Sequence, residues 1–369
     1  MPQPRPRRRS RRGCGNCKLR SVKCDETKPT CRACRTYGVA CNYALTQPRL
    51  QASVERVMHM EIPPSLCYWP TENEYLLSRF QTQIAGTISV GRRLDVFRND
   101  VVQLARSTPF LMHALTALVL LHDRQLETPS GLELSLAESN HWHRALVGFN
   151  RKLAQPYCPE DKGAMLSTAT ILWFLIFGDV KALTVEENWP LKSTPPSWLS
   201  VNGGKAEVWR SMPSSPTDSI AAVLSPVEVG PSYTGSLVQL DMSNVPPEFG
   251  RLYQLDTAYP SSADGSPYYT AAIGVARALY HDQSIIDIVL GFVACCSTMD
   301  SRFRSLLLAR DARALLLLAC WYAKIRGLGV WWMARRALLE GEAICFYLER
   351  HFPGNADIQK VMMHVRPCP

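Results

Sequence analysis

Six cysteines near the start of the chain form its most chemically informative pattern. The unit Cys-x2-Cys-x6-Cys occurs twice, and its members are Cys14, Cys17, Cys24, Cys31, Cys34 and Cys41. A Cys-x2-Cys turn lets two thiolates reach one metal ion, and zinc prefers four ligands arranged as a tetrahedron. Six thiolates cannot give two ions four private ligands each, so two of them must bridge. The spacing therefore predicts a pseudo-twofold cluster in which these cysteines hold two Zn²⁺ ions.

The charge of the chain is concentrated around the same cysteines. Residues 1–43 contain twelve Lys and Arg but only two Asp and Glu, whereas the remaining residues carry 29 basic and 30 acidic side chains. A basic segment beside a near-neutral remainder indicates an anionic partner, and double-stranded DNA is the partner we predict. A zinc site that only staples the fold, with no role in DNA binding, is the alternative.

The cysteine segment resembles the fungal zinc-binuclear-cluster family of transcription factors. The resemblance lies in the run Gly13-Cys14-Gly-Asn-Cys17-Lys-Leu-Arg-Ser-Val-Lys-Cys24-Asp-Glu-Thr-Lys-Pro-Thr-Cys31. It implies that Cys14 and Cys31 are the bridging thiolates. One zinc would then take Cys14, Cys17, Cys24 and Cys31, and the other Cys31, Cys34, Cys41 and Cys14. It also implies that Pro29, in the loop joining the two halves, occupies a position where the peptide bond is often cis.

The same resemblance implies how the segment meets DNA. The first helix of the family docks in the major groove over a CGG-like triplet, where the residues at the positions of Arg20 and Ser21 reach base edges. Arginine suits guanine O6 and N7, but Ser21 replaces the usual basic residue, which leaves the preferred triplet open. Lys18, Lys23, Arg32 and Arg35 are predicted either to contact phosphates or to lie on the surface of the cluster. Phosphate contacts position the protein on DNA without specifying a sequence. Lys23, beside Cys24, could serve only to offset the negative charge of the cluster.

Residues 1–12 form a basic arm that is predicted to be disordered. Its arginines are Arg5, Arg7, Arg8, Arg9, Arg11 and Arg12. They predict a nuclear import signal, a flexible contact to DNA phosphates, or both, and a plain solvated charge run is the alternative. The first residues include no apolar stretch of the kind that marks a signal peptide. We therefore expect a reducing, intracellular compartment, and the nucleus in particular.

The fold class predicted for the whole chain is mostly α. The cysteine domain (13–43) with two short helices is followed by a linker (44–71) and a large all-α regulatory domain (72–369). Hydrophobic periodicity predicts helices over 97–105, 109–121, 132–153, 162–177, 271–296, 301–325 and 331–351. Eleven prolines fall in residues 181–270, which predicts a long irregular insertion with a few short helices around Glu207–Arg210. No apolar run approaches the ~20 residues of a membrane span.

A second, weaker resemblance concerns the large domain. The runs Leu104–His122 and His141–Phe149 resemble the helical regulatory domain of sterol-uptake-control regulators. This resemblance implies a helical domain able to hold an apolar small-molecule effector. Trp331-Trp332 could line such a pocket, although core packing is the expectation.

Catalytic patterns are not found in the sequence. It has no Gly-x-Ser-x-Gly elbow, complete Gly-x-Gly-x-x-Gly or phosphate-binding loop. His141 and His143, and likewise His113 and His122, point different ways on a helix, so ordinary helix histidines are expected. Cys295-Cys296 is expected to be a pair of small buried hydrophobes. The chain is therefore predicted not to be an enzyme.

The function predicted from these patterns is that of a nuclear, sequence-specific regulator of RNA polymerase II transcription. A metabolic or secondary-metabolite gene cluster is the candidate target. Its predicted partners are promoter DNA and the transcription machinery or co-regulators. The apolar residues of 45–62 fill barely two heptads, too few for a stable coiled coil, so the protein binds as a monomer or forms a homodimer through its large domain. The alternatives are a sterol- or lipid-responsive regulator whose helical domain binds an apolar effector, and an enzyme with an appended zinc staple.

Overall fold

The computed structural model describes residues 12–19, 22–37, 41–43, 70–127, 134–156, 158–201, 204–212, 219–224, 242–255, 265–297 and 299–365. The chain divides into two compact units, Met1–Trp69 and Pro70–Pro369. Every regular element in these ranges is helical, so a mostly α chain with an N-terminal cysteine cluster is confirmed. No helix in the described ranges combines the length and the apolar character needed to cross a membrane.

The first unit contains two short helices, α1 (Gly15–Leu19) and α2 (Arg32–Tyr37). In the second unit the helices are α3 (Pro70–Arg79), α4 (Ala85–Ile88), α5 (Gly91–Asp95), α6 (Val102–Ser107), α7 (Pro109–Glu127), α8 (Leu136–Leu153), α9 (Lys162–Gly178), α10 (Ser197–Val201), α11 (Gly204–Ser211), α12 (Ser219–Leu224), α13 (Pro247–Tyr253), α14 (Tyr269–Tyr280), α15 (Ile285–Ser297), α16 (Ser301–Leu308), α17 (Ala312–Arg326), α18 (Trp331–His351) and α19 (Ala356–Val365). Single π-helical segments lie at Phe80–Ile84 and Val96–Val101, and 3₁₀ turns at Pro159–Asp161 and Met242–Asn244.

Two of the helices predicted as continuous are broken in the structure. The helix expected over 301–325 ends at Leu308 because Arg310 adopts a left-handed backbone (φ 59°). Asp311 then starts α17 by accepting hydrogen bonds from the backbone N–H groups of Arg313 and Ala314, an N-cap arrangement. The helix expected over 271–296 is likewise interrupted between α14 and α15, where Ser284 Oγ accepts the N–H of Asp287. Hydrophobic periodicity alone missed both capping signals.

The start of α8 follows a capping box. Ser135 Oγ accepts the backbone N–H of Glu138 at 3.0 Å, the pairing expected of a Ser-x-x-Glu sequence. Glu138 also lies in the core, where its two carboxylate oxygens meet Arg124 of α7 at 2.8 and 2.9 Å. The cap therefore fixes both the start of the helix and its packing against α7.

α9 is the central helix of the second unit. Nearly all of its residues are buried, as its continuous apolar sequence requires. Phe174 and Phe177 stand edge-on to Trp332 of α18, with ring centroids 4.8 and 5.6 Å apart. The two adjacent tryptophans thus differ in burial, since Trp332 is a core residue and Trp331 is only half-buried.

The region 181–270, predicted to be irregular, contributes to this core in its described parts. It holds the four short helices α10–α13, of which α11 includes the predicted Glu207–Arg210. Trp198 of α10 and Phe249 of α13 are fully buried. Lys162 of α9 donates to the carbonyl of Met212 at 2.9 Å and lies over the ring of Trp209. Isolated aromatic anchors among prolines give no periodicity, so the sequence pattern could not reveal this packing.

The carboxyl end of α9 is closed by one arginine from α18. The Arg336 guanidinium donates to the carbonyls of Ile176, Phe177 and Asp179 and also to the Glu340 carboxylate. These are the carbonyls that a helix end leaves without partners inside the helix. Arg336 and Glu340 are both buried, so this pair is integral to the core.

Replacing Arg336 by methionine should destabilise the second unit by about 3–5 kcal/mol, because it leaves the Glu340 charge and the helix-end carbonyls buried without a cation. Urea unfolding of the full chain followed by tryptophan fluorescence measures the effect. Arg210→Met is the matched control, because its pair with Glu207 is two-thirds exposed and should contribute less than about 1 kcal/mol. Equal losses in the two variants would contradict this assignment.

Candidate metal centre and nucleic-acid interface

The six cysteines of the first unit converge on one another and form its buried core. All six are at most 8% exposed, and among the described residues Ala33 and Tyr43 pack against them as partly buried apolar neighbours. They fall into two groups of four, Cys14, Cys17, Cys24 and Cys31 in one and Cys14, Cys31, Cys34 and Cys41 in the other. Cys14 and Cys31 belong to both groups.

The distances between sulfur atoms match a thiolate metal site. Cys14 Sγ lies 3.9 Å from Cys31 Sγ and 3.5 Å from Cys34 Sγ, and Cys17 Sγ lies 3.6 Å from Cys31 Sγ. Two sulfurs on a tetrahedron with Zn–S bonds of about 2.3 Å are separated by about 3.8 Å. A disulfide would bring them to about 2.05 Å, and none of these six cysteines is in a disulfide. The cysteine set therefore fits the coordination of zinc.

The backbone adds hydrogen bonds to the sulfurs. The N–H groups of Cys17 and Cys34, each at the end of a Cys-x2-Cys turn, donate to Cys14 Sγ and Cys31 Sγ at 3.4 and 3.3 Å. Glu26 N–H donates to Cys24 Sγ in the same way. Such donors favour the thiolate form that a metal needs, and their repetition reflects the duplicated sequence unit.

Crowding of the sulfurs also changes their acidity. Burial, supported by hydrogen bonds with Cys14 and Cys31, raises the pKa of the Cys34 thiol to about 11. The pKa of Cys17 is raised for the same first reason, burial. For Cys14 burial opposes ionisation, yet the Cys17 N–H and neighbouring thiols lower its pKa overall. Six thiolates cannot share this space without compensating positive charge, which metal cations supply.

Asn42 is a structural residue of this site that the spacing argument missed. Its side-chain oxygen accepts the backbone N–H of the fully buried Asn16 at 2.6 Å, and its carbonyl accepts the N–H of Gly15 at 3.1 Å. A Cβ at Gly15 would lie 2.8 Å from the Asn42 amide nitrogen, which explains the glycine there. Asn42 thus joins the end of the cysteine segment to the start of α1.

A second set of contacts orients the loop between the two halves. Asp25 accepts the N–H of Arg32, the first residue of α2, at 2.9 Å and the Thr27 hydroxyl at 2.5 Å. Tyr43 Oη lies 3.4 Å from Cys24 Sγ and donates to the Thr27 carbonyl. The Lys28–Pro29 peptide bond in this loop is cis. The only sequence signal for Asp25 was an acidic residue seven positions before a helix start.

The basic residues predicted to bind DNA are only partly covered by the structure. Four of them are exposed, namely Arg12, Lys18 of α1, Lys23, and Arg32, which is the first residue of α2. Arg35 lies on α2, but its side chain is outside the described residues. Arg20 and Ser21, and also Arg5, Arg7, Arg8, Arg9 and Arg11 of the arm, lie outside the described residues altogether. The described part therefore presents basic side chains outward around a buried cysteine core.

Two histidines from neighbouring helices meet in the second unit. His113 Nδ1 of α7 lies 3.0 Å from His141 Nδ1 of α8. Burial, with the nearby positive charges of His141 and Arg144, lowers the pKa of His113 to about 4. Apart from the cysteines, no cluster of three or more metal-ligating side chains occurs in the described ranges. The pair joins two helices, and reasoning within each helix could not find it.

The adjacent cysteines Cys295 and Cys296 pack in the core of the second unit. Cys296 is buried and Cys295 half-buried, and burial raises the pKa of Cys295 to about 12. Both thiols are therefore protonated, and in this form they are small apolar side chains.

A small domain built around six clustered cysteines, with basic side chains outward, is the architecture of a zinc-cluster domain. Residues 12–50 match the fungal Zn(2)-Cys(6) binuclear cluster domain, so this segment is a domain of that family, and the resemblance described above is confirmed. The relatives of the chain are fungal Zn(2)-C6 transcription factors.

Three relatives show how much the matched share of the chain varies. A Zn(2)-C6 fungal-type transcription factor of Gibberella zeae is 25% identical over 92% of this chain and 82% of its own length. The aspercryptin biosynthesis cluster-specific transcription regulator of Emericella nidulans is 30% identical over 36% of this chain and 26% of its length. Sterol uptake control protein 2 of Saccharomyces cerevisiae is 35% identical over 16% of this chain and 8% of its length. The chain therefore spans most of the first relative but a small part of the other two.

Asn42→Ala should weaken zinc binding by about tenfold or more. It removes the side-chain acceptor of the buried Asn16 N–H, which costs about 1–3 kcal/mol, and metal binding is coupled to the folding of such domains. Competition with a chromophoric chelator measures the affinity of the full chain. Val22→Ala, at an exposed and uncharged position, is the control and should leave the affinity unchanged. An unaltered affinity in Asn42→Ala would show that this contact is dispensable.

Proposed function

We propose that this protein is a nuclear, sequence-specific DNA-binding regulator of RNA polymerase II promoters whose cysteine cluster holds two Zn²⁺ ions. The observation that carries the proposal is the pair of four-sulfur groups sharing Cys14 and Cys31 inside the most basic segment of the chain. The zinc ions would hold together the cysteine core of the described part of this unit, and they would fix the positions of α1 and α2.

The charge distribution supports DNA as the partner. Lys18, Lys23 and Arg32 are exposed around the cysteine core, where they can reach phosphates without disturbing the metal ligands. Arg20 and Ser21 directly follow α1 in sequence, so we assign base contacts to them and phosphate contacts to the described lysines and arginines. The family relationship of residues 12–50 to fungal zinc-cluster domains points the same way.

The target genes are proposed from the relatives alone. One relative is named as a cluster-specific regulator of a biosynthetic pathway, and a metabolic or secondary-metabolite gene cluster is the corresponding proposal for this chain. The second unit is proposed to regulate transcription, through co-regulators, through a second copy of the chain or through a small-molecule effector. None of these roles requires an active site.

Zinc stoichiometry tests the metal part of the proposal. The full chain should bind two zinc ions, measured by native mass spectrometry together with elemental analysis. Cys14→Ser or Cys31→Ser removes a ligand from both groups and should release both ions. Cys41→Ser affects one group and should retain more zinc than either bridging variant. Equal zinc content in bridging and non-bridging variants would contradict the shared-sulfur arrangement.

Selection of binding sites from random duplex DNA by the zinc-loaded full chain tests the DNA part. Recovered sequences should share a short motif, and the affinity should fall with salt by about 0.9 log units per log unit of salt for each phosphate contact. Arg20→Ala should relax one base position at a cost of about 1–3 kcal/mol, whereas Lys18→Ala should weaken all sequences uniformly and reduce the salt slope by about one.

Lys360→Ala, an exposed substitution at α19 in the second unit, is the matched control and should change neither property. Random recovered sequences together with salt-insensitive binding would refute DNA recognition by this protein.

A further inference from the structure

The second unit also contains a cleft. It lies between α8, the carboxyl end of α9, the segment 179–197 and α18, and it has a volume of about 630 Å³. Sites for small organic ligands commonly have volumes of about 300–1,000 Å³. The residues that line the cleft all belong to the described part of this unit.

The floor of the cleft is fixed by buried charges that compensate one another. Glu340 accepts from Arg336, from Tyr322 Oη at 2.8 Å and from Trp198 Nε1 at 3.3 Å. Asp179, which also lines the cleft, pairs with Arg124 at 3.1 Å. Ion pairs whose members are this deeply buried and multiply hydrogen-bonded hold a surface rigidly. The floor is therefore pre-organised, and its carboxylates are already engaged.

Two cationic side chains at the cleft lack an acidic partner among the described residues. Lys181 and Lys192 both line it and are exposed, and no described side chain forms an ion pair or hydrogen bond with either amino group. One lining carboxylate, Glu187, lacks a cationic partner and accepts the Leu183 backbone N–H at 2.8 Å. The two ammonium groups can therefore bind the carboxylate of an anionic ligand.

Apolar side chains also line the cleft, beside polar ones such as Ser139 and His143 of α8. Among the apolar ones are Trp142 and Leu146 of α8 and Ile176 near the end of α9. Each of these three is partly buried, so each still has apolar surface to lose to a ligand. Burial of such surface contributes roughly 25 cal/mol per Å². The cleft thus offers both apolar side chains and two exposed lysines.

We propose that this cleft binds a small monoanionic amphiphile, such as an aliphatic or aromatic carboxylic acid, with its carboxylate near Lys181 and Lys192 and its apolar body against Trp142, Leu146 and Ile176. A neutral sterol fits this cleft less well, because it would cover the amino groups of Lys181 and Lys192 without replacing the hydrogen bonds that they make to water. The role of the ligand as an effector of transcription rests on the proposed function, but its binding does not.

Isothermal titration calorimetry on the zinc-loaded full chain tests the proposal with three ten-carbon probes, namely decanoate, 1-decanol and decyltrimethylammonium. Decanoate should bind at least tenfold more tightly than the other two. The double variant Lys181→Gln/Lys192→Gln should weaken decanoate binding at least tenfold and leave 1-decanol unaffected. Because both lysines are exposed, the variant should fold normally, which its thermal unfolding midpoint checks.

The matched control is Lys324→Gln/Lys360→Gln, which removes two positive charges from helices α17 and α19 outside the cleft. It should bind decanoate as the unaltered protein does. The proposal is overturned if decanoate does not bind, if the three probes bind equally, or if both double variants lose the same affinity. Site selection on DNA is scored separately, so decanoate binding by a protein that selects no DNA motif would reject the proposed function and leave this site standing.

Discussion

The first unit depends on one constraint, that six sulfur atoms share a space too small for six uncompensated negative charges. In the described part of this unit the buried core consists of the cysteines, with Ala33 and Tyr43 beside them. A core of this size gives little stabilisation by apolar burial. Bound zinc would meet both difficulties, because the cations would neutralise part of the charge and their bonds would add to the core. The short helices α1 and α2 would then be held by metal ligands as well as by the Asn42 contacts.

In the second unit the corresponding constraint is the carboxyl end of α9, a helix in which nearly all residues are buried. The last carbonyls of α9 lie in the core and need donors there, and Arg336 supplies them from α18. A buried guanidinium in turn requires Glu340, and Glu340 draws in Tyr322 and Trp198. The same chain of requirements places rigid, compensated charge at the floor of the cleft, so a solution for helix capping also shapes a candidate ligand site.

The sequence predicted the parts of the molecule that follow from local pattern. The cysteine spacing led to the cluster, and apolar periodicity led to α8, α9 and α18 with nearly correct bounds. It also led to α7, but the predicted end at residue 121 lies six residues before the observed end at Glu127. It failed where a single polar residue overrides the period, as at Asp311 and Ser284, which start new helices within apolar runs. It also failed where contacts join distant positions. Asn42 with Asn16, His113 with His141, and Trp198 with Glu340 are all pairings that tertiary structure alone brings together.

X-ray absorption at the zinc edge of the zinc-loaded full chain decides whether two zinc ions share Cys14 and Cys31. The expected spectrum shows four sulfurs at about 2.3 Å around each zinc and a zinc–zinc distance of roughly 3 Å, which follows from two tetrahedra sharing an edge. Nitrogen or oxygen ligands at bonding distance, or a spectrum without zinc–zinc scattering, would rule out the shared thiolates.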